Sequence, residues 1–398
     1  MTVKNSVLFE EILHELEKNI LPFWIKRTVD EKNGGFYGYM THEGQVEVTA
    51  EKGGILNSRI LWTYSKAYCQ TGDPQHLKTA THAFDFLKNN FLDDQYGGIY
   101  WMLDYHGHPT EPKKHIYNQS FAIYGLSEYY QATKKEESLE IAIELFHLIE
   151  KYAYDNKNKG YFEAFTKEWK EVEDQSLSGK DMNAAKSMNT HLHILEAYTN
   201  LYRVWKDELL KEKLDELIQI TIEHIINPET NQFKLYFNEA WHSLSDVVSY
   251  GHDIEGSWLL HEAAEVLGDS EILTQVETIA IKMADKVLQD GFDQHGGLMN
   301  ELEDGEFDRD KVWWVQAEGM VGFLNAYQLT KQEKYLDATK ALWDFTSSYI
   351  IDKQNGEWFW KVDGDGNVAK DMPKVEPWKC SYHNSRFCFE VLERLERI

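Results

Sequence analysis

Along most of the chain, apolar residues recur at spacings of three and four, as in Leu139, Ile143, Phe146 and Ile149. That period marks amphipathic helices. At regular intervals the pattern gives way to a short Gly-, Asp- or Asn-centred segment whose side chains alternate instead. Six such breaks occur: NGGFYGYM from Asn33, YGGIYWMLDYHGH from Tyr96, KGYFEAFTKEW from Lys159, NQFKLYFNEAW from Asn231, HGGLMNELEDG from His295 and NGEWFWKVDGDG from Asn355. Each reads as a short β-hairpin. Gly34, Gly97, Gly160, Gln232, Gly296 and Gly356 mark equivalent points, 60 to 72 residues apart.

Two helical runs fill each gap between hairpins. ILNSRILWTYSKAY and HLKTATHAFDFLKNNF, for example, are joined by Thr71-Gly72-Asp73-Pro74, a helix stop followed by a helix start. One further helix precedes the first hairpin (Leu8 to Phe23) and one follows the last (Asn384 to Arg397). The expected fold is all-α: an (α/α)6 barrel of twelve helices in one domain, residues 1–398, with short β-hairpins walling one end. Pairing of the first helix with the last would close the ring, whereas an open solenoid would need atypical end caps.

The formal charge of −26 argues against nucleic acid and anionic membrane surfaces as partners. It also repels copies of the chain, so a monomer or weak homodimer is expected. The N-terminal segment has no basic region followed by an apolar run, and no 18-residue apolar window occurs. With only Cys69, Cys380 and Cys388, this suggests a cytoplasmic, reducing location. Asn118-Gln119-Ser120 is read as a chance sequon. The 14% aromatic content is more telling, because it falls in the hairpins and at the openings of the helices that follow them.

Those openings carry the candidate chemistry. They contain Arg59; Tyr117 and Asn118; Asn189, His191 and His193; His252, Asp253, Glu255 and Trp258; Trp313, Trp314 and Glu318; and Trp378, His383 and Arg386. If the first helix after each hairpin belongs to the inner ring, all six clusters converge on one mouth. Asn189 and His193 share a helix face, as do Trp314 and Glu318, and His252 lies one turn from Glu255. A carboxylate beside an imidazole fixes its tautomer and favours its charged form. The polar stretch from Glu171 to Ser187 is a candidate lid.

Other chemistries fit less well. His191 and His193 are two apart on a helix and cannot reach one ion. Asp363 to Asn367 starts like a calcium loop, but Val368 replaces the needed Gly and Lys374 the needed acid, so it reads as a hairpin turn. No His-Glu-x-x-His, Walker loop, strand-led GxGxxG or Gly-x-Ser-x-Gly elbow occurs, and neither metal nor cofactor is expected. An inverting glycosidase would show carboxylates dominating the mouth, whereas here histidine dominates. Imidazole suits proton transfer in either direction near neutral pH.

The strings KGGILNSRILW, KSMNTHLHILEAYTNLYR, SYGHDIEGSWLL, WWVQAEGMVGFLNAYQ and WKCSYHNSRFCFE resemble those of the cellobiose 2-epimerases, within the N-acylglucosamine 2-epimerase superfamily. The resemblance spans essentially the whole chain and implies an (α/α)6 barrel. It implies cofactor-free epimerisation at C2 of the reducing-end glucose of β-1,4-linked disaccharides, through ring opening and an enediolate. It assigns His252 and His383 as the acid/base pair and His193 to ring opening or to holding the O1/O2 side. Arg59 would stabilise the enediolate and Glu255 orient His252. Tyr117, Asn189, Trp258, Trp314, Glu318 and Trp378 would hold the sugars. Mannose 2-epimerase, aldose–ketose isomerase and N-acylglucosamine 2-epimerase activities stay open within the superfamily. Two departures are Gly256, where Ala is expected and would favour the helix by about 1 kcal/mol, and Ser381, where Pro is familiar.

Overall fold

Among the described residues, twelve helices alternate between two environments. The computed structural model describes residues 6–397. The first helix, α1, runs through Val7–His14, a π-wound turn at Glu15–Ile20, and Leu21–Arg27. There follow α2 (Gly54–Thr71), α3 (Pro74–Phe86), α4 (Ile116–Thr133), α5 (Glu136–Tyr152), α6 (Met188–Val204) and α7 (Glu208–Ile220). The set ends with α8 (Tyr250–Leu267), α9 (Ser270–Asp290), α10 (Trp313–Thr330), α11 (Glu333–Phe345) and α12 (Tyr382–Glu396).

Burial separates the even-numbered helices from the odd. Every residue of α4 from Ile116 to Tyr129 is buried, and a helix covered on all sides belongs to a core. In α5 only a stripe through Ser138, Ile141, Ala142, Leu145, Phe146 and Ile149 is buried. Leu139 and Ile143 lie at its half-buried edge. The junction from α2 to α3 follows the turn chemistry: Gly72 ends α2 with φ at 67°, and the Asp73 side chain caps α3 by accepting from the Gln75 amide at 2.8 Å.

The inner ring runs α2, α4, α6, α8, α10, α12 and back to α2. Its closure is made of hydroxyls, with Thr63 Oγ1 3.2 Å from Ser385 Oγ and 3.1 Å from Ser381 Oγ. In the outer layer, Trp343 Nε1 on α11 donates to Glu11 on α1 at 2.7 Å. Trp358 Nε1, just beyond α11, donates to Glu15 at 2.8 Å. The chain ends therefore close a barrel, and the fold is (α/α)6.

The hairpins are minimal. A two-residue strand before each inner helix pairs antiparallel with the hairpin one unit later: Lys52–Gly53 with Met102–Leu103, Lys114–His115 with Ala164–Phe165, Lys186–Ser187 with Tyr236–Phe237, and Lys311–Val312 with Lys361–Val362. Val248–Ser249 pairs in the same way with the strand Glu301–Glu303, and a bridge from Met40 to Val375 supplies the sixth link. All inner helices thus begin at the hairpin end, and their first turns form its floor. Asp363 and Asn367 close one hairpin turn, as expected.

A buried ion pair repeats with this architecture. Lys52 binds Asp30 (2.8 Å), Lys114 binds Asp93 (3.0 Å), Lys186 binds Asp155 (2.8 Å), Lys311 binds Asp293 (3.2 Å) and Lys374 binds Asp352 (2.8 Å). Each Asp also closes its own turn by accepting nearby backbone N–H groups, as Asp30 does from Lys32 and Asn33. The lysine ties the strand that enters an inner helix to the exit of the preceding outer helix. The fourth unit has Asn227 and Val248 at the two positions, so both members of the pair are replaced together.

Candidate active site

At the hairpin end a cavity of about 570 Å³ opens into the ring. Arg59, Tyr117, Asn189, His193, His252, Glu255, Trp314, Trp378 and His383 all line it. The convergence read from the six helix openings is therefore real in space. Leu177 to Asp181, within the proposed lid, form part of the wall, with Trp313, Trp360, Met372 and Glu376. The lid is pinned where Tyr236 Oη donates to Asp181 at 2.9 Å.

Two imidazoles flank one indole. The Trp314 ring lies 4.8 Å from His252 and 5.6 Å from His383, centroid to centroid. These residues come from α8, α10 and α12, three consecutive inner helices. Ser249 Oγ, 2.8 Å from His252 Nδ1, holds that ring, and Glu318 Oε1, 2.7 Å from His383 Nδ1, holds the other. In each case Nε2 is the nitrogen left to face a ligand. Burial pushes His252 down to about 4 against the pull of nearby Glu255. Burial, then the cations Arg59 and Arg386, holds His383 well below the ordinary imidazole range. Both rings are thus neutral at pH 7.

The third histidine has its own carboxylate, with His193 Nδ1 2.9 Å from Glu196 Oε2. His191 points into the wall, as helical geometry requires: its Nε2 accepts from the Tyr161 amide at 2.9 Å and its Nδ1 meets the Ser187 carbonyl at 2.7 Å. Across the cavity Arg59 is stacked on Phe121 at 4.1 Å. It donates to the Trp378 carbonyl at 3.1 Å and to Tyr117 Oη at 2.8 Å. Asn189 Oδ1 is buried without a protein partner.

Three expected roles need correction. Trp258 and Glu318 do not line the cavity. Trp258 is 1% exposed, its Nε1 donates to Glu318 at 3.1 Å, and Arg386 lies over its ring at 4.8 Å. Glu318 is fully buried and supports His383 rather than a sugar. Glu255 does line the cavity, but its Oε1 accepts from Arg386, and Ser249 rather than Glu255 orients His252.

Arg386 is the residue whose role the sequence left unread. Its guanidinium binds Glu196, Glu255 and Glu318, from α6, α8 and α10, and the Tyr382 hydroxyl. Three carboxylates carried inward by three inner helices need a buried cation, and that need was the available signal. Glu255, Glu318 and His383 place ligand atoms within 4.8 Å of one another, as a metal site would. Arg386 donates to both carboxylates, so the guanidinium already supplies the positive charge. Burial outweighs its pull at Glu318, which is raised. At Glu196 burial acts in the same direction, but Arg386 and His193 prevail and hold the carboxylate low.

A family model described as N-acylglucosamine 2-epimerase matches residues 35–385. The cellobiose 2-epimerase of Bacteroides fragilis is 46% identical over 98% of this chain and 99% of its own. That of Dictyoglomus turgidum is 42% identical with the same coverage. The solved cellobiose 2-epimerase of Bacillus thermoamylovorans superposes with a TM-score of 0.94 at 43% identity, covering 97% of this chain and 99% of that one. With its barrel, its convergent histidines and this full-length similarity, the chain belongs to the N-acylglucosamine 2-epimerase family.

Proposed function

We propose that this chain is an isomerase that epimerises C2 of the reducing-end glucose of β-1,4-linked disaccharides, turning cellobiose into glucosyl-mannose and lactose into epilactose. The observation that carries the reading is the pair of neutral imidazoles on either side of Trp314, in a cavity that also holds a fixed guanidinium. The full-length relatives named cellobiose 2-epimerase point to the same reaction. Three unbonded cysteines fit a reducing, cytoplasmic setting.

The chemistry starts with ring opening, because only the free aldehyde acidifies the C2 proton. His193 serves this step on the O1 side. His252 Nε2 then takes the C2 proton, and the enediolate oxygen develops charge opposite Arg59. A fixed cation aimed at developing charge stabilises the transition state more than the ground state. The first turns of the inner helices add the positive ends of their dipoles.

Reprotonation on the other face falls to His383. In this reading the proton shared across the 2.7 Å between Glu318 Oε1 and His383 Nδ1 rests on the carboxyl, in keeping with a raised Glu318 and a lowered His383. That leaves an N–H at Nε2. As Nε2 gives its proton to C2, the Glu318 proton moves to Nδ1, so the imidazole stays neutral and the carboxyl becomes a carboxylate. The reverse reaction runs through the same groups with base and acid exchanged. No step requires a metal or organic cofactor.

The test is NMR of C2–H in D2O with cellobiose, lactose, glucose and mannose. Deuterium appearing at C2 of intact disaccharide, with the epimer formed, is the expected result. Release of monosaccharide would favour a glycosidase, and absence of exchange with every sugar would dismiss the reading. His252→Ala and His383→Ala should each abolish C2 exchange while cellobiose still binds, and a chelator should leave the rate unchanged.

A further inference from the structure

The barrel interior holds a second cavity, at the end away from the hairpins. It measures about 160 Å³ and is lined by Glu128, Glu196, Glu262, Glu390 and Arg394, with exposed Arg397 at its rim. A polar-lined space of that size accommodates water at about 30 Å³ per molecule. The layer between the two cavities contains Arg386, Tyr382 and Trp258, all buried. Glu196 belongs to both sides of this layer. It lines the far cavity, and its Oε2 accepts from Nδ1 of His193, which lines the front one. The mechanism above assigns none of the far-cavity carboxyls a task.

We propose that the far cavity is a proton route, by which His193 exchanges its proton with bulk water through Glu196 while a sugar fills the front cavity. The proposal rests on the epimerase reading and on ring opening as its first step. Ring opening takes one proton from O1 and places one on O5. If His193 does only the first, Nε2 gains the O1 proton and Nδ1 passes its own to Glu196. From there the proton moves to water in the far cavity, and the ring is left neutral. The O5 proton comes from a carboxylic acid in the front-cavity wall, Glu376, whose carboxyl burial raises and which takes the proton back at ring closure. Ring closure returns each proton by the reverse path, so the complete cycle is balanced. A route at the back matters because a sugar filling the front cavity, walled in part by Leu177 to Asp181, blocks the way by which water would otherwise reach His193.

The test separates ring opening from C2 chemistry by following enzyme-catalysed anomer interconversion of cellobiose, which needs ring opening alone. Three variants are compared with the parent. Glu262→Met makes the far cavity less polar, and its partner Arg203, 2.7 Å away and 38% exposed, can turn to water. Thr199→Leu fills the same cavity from α6. Glu196→Gln keeps an acceptor for His193 but cannot carry a proton.

In all three, kcat for anomerisation should fall at least about tenfold, with KM within about twofold of the parent. Thr199→Leu stands alone if Glu262→Met does not fold. Parent-like kcat in the folded far-cavity variants overturns the route. So does a loss confined to Glu196→Gln, which would make Glu196 a positioning residue for His193 and nothing more. If the parent protein neither anomerises cellobiose nor exchanges C2–H, the epimerase reading fails, and the route with it. If it does both, only the route is being judged.

Discussion

In the proposed reaction His252 and His383 do similar work but are held by different partners. A serine hydroxyl fixes His252, whereas an ionisable carboxyl fixes His383. Only His383 can therefore trade a proton with its support. Glu318→Gln should lower kcat for epimerisation by about 100-fold or more with KM little changed, since it removes a proton and no sugar contact. Steady-state kinetics on cellobiose measures this, and a loss carried mainly by KM would return Glu318 to the sugar-binding set. Trp258→Phe gives a companion test. Its indole stands under Arg386 and Glu318 rather than against the cavity, so KM should stay within about twofold while kcat falls. Neutral imidazoles also set an acid limit. With His252 at about 4, kcat/KM should hold from pH 7 to about 5 and fall only as pH drops through that value. A fall centred on the ordinary imidazole pKa would show that burial has not shifted the base.

At the scale of elements, the helices carry constraints that their propensities conceal. Gly256 looks like a weak point in α8, but a Cβ there would meet the Phe233 ring at 2.1 Å. Gly256→Ala should therefore destabilise the protein by about 1–3 kcal/mol, the usual cost of overpacking, despite alanine's better helix propensity. A raised urea midpoint would refute the contact. The repeated lysine–aspartate pair makes a stronger claim. Lys114 and Asp93 are both buried, and removing one partner leaves an uncompensated charge in the interior. Lys114→Met should cost about 3–5 kcal/mol in urea unfolding. In the fourth unit Asn227 and Val248 stand at the two positions, so neither charge of the pair is present there.

The whole molecule integrates these shifts into a pH dependence of stability. Burial raises Glu15 to about 7, Glu163 to about 8 and Asp253 to about 7. Each then binds a proton in the native state that the unfolded chain has already released, so its contribution is lost as pH rises from the ordinary carboxyl range to the folded value. Burial lowers His115 to about 3, His191 to about 3 and His252 to about 4. For these groups the unfolded chain takes up protons that the native state refuses, and stability is lost as pH falls below 6.5, their ordinary value. The two sets oppose each other between about 4.5 and 6.5, and above that only the carboxyls act. The urea midpoint should therefore be lower at pH 8 than at pH 6, and the reverse order would contradict this assignment.

What the sequence determined by itself is what depends on neighbours along the chain. Helix period, the Gly72-Asp73-Pro74 junction and the six hairpin turns are local interactions, and their repetition fixed twelve helices and one shared mouth. Similarity to known strings then named the histidines. The depth of each side chain below that mouth was decided only by tertiary structure. A helix rises about 1.5 Å per residue, so Glu318 sits about 6 Å beneath Trp314, and Trp258 about 9 Å beneath His252. One turn is enough to move a residue from the cavity wall to the layer behind it, and spacing along one helix does not say where the floor lies. The Arg386 hub was hidden for the same reason, since its three carboxylates come from three other helices and meet only when the ring closes. The buried lysine–aspartate pairs join residues 18 to 31 positions apart, too far for a turn to bring together. It is the packing of strand against outer helix that makes each pair, and with it the walls that hold the site.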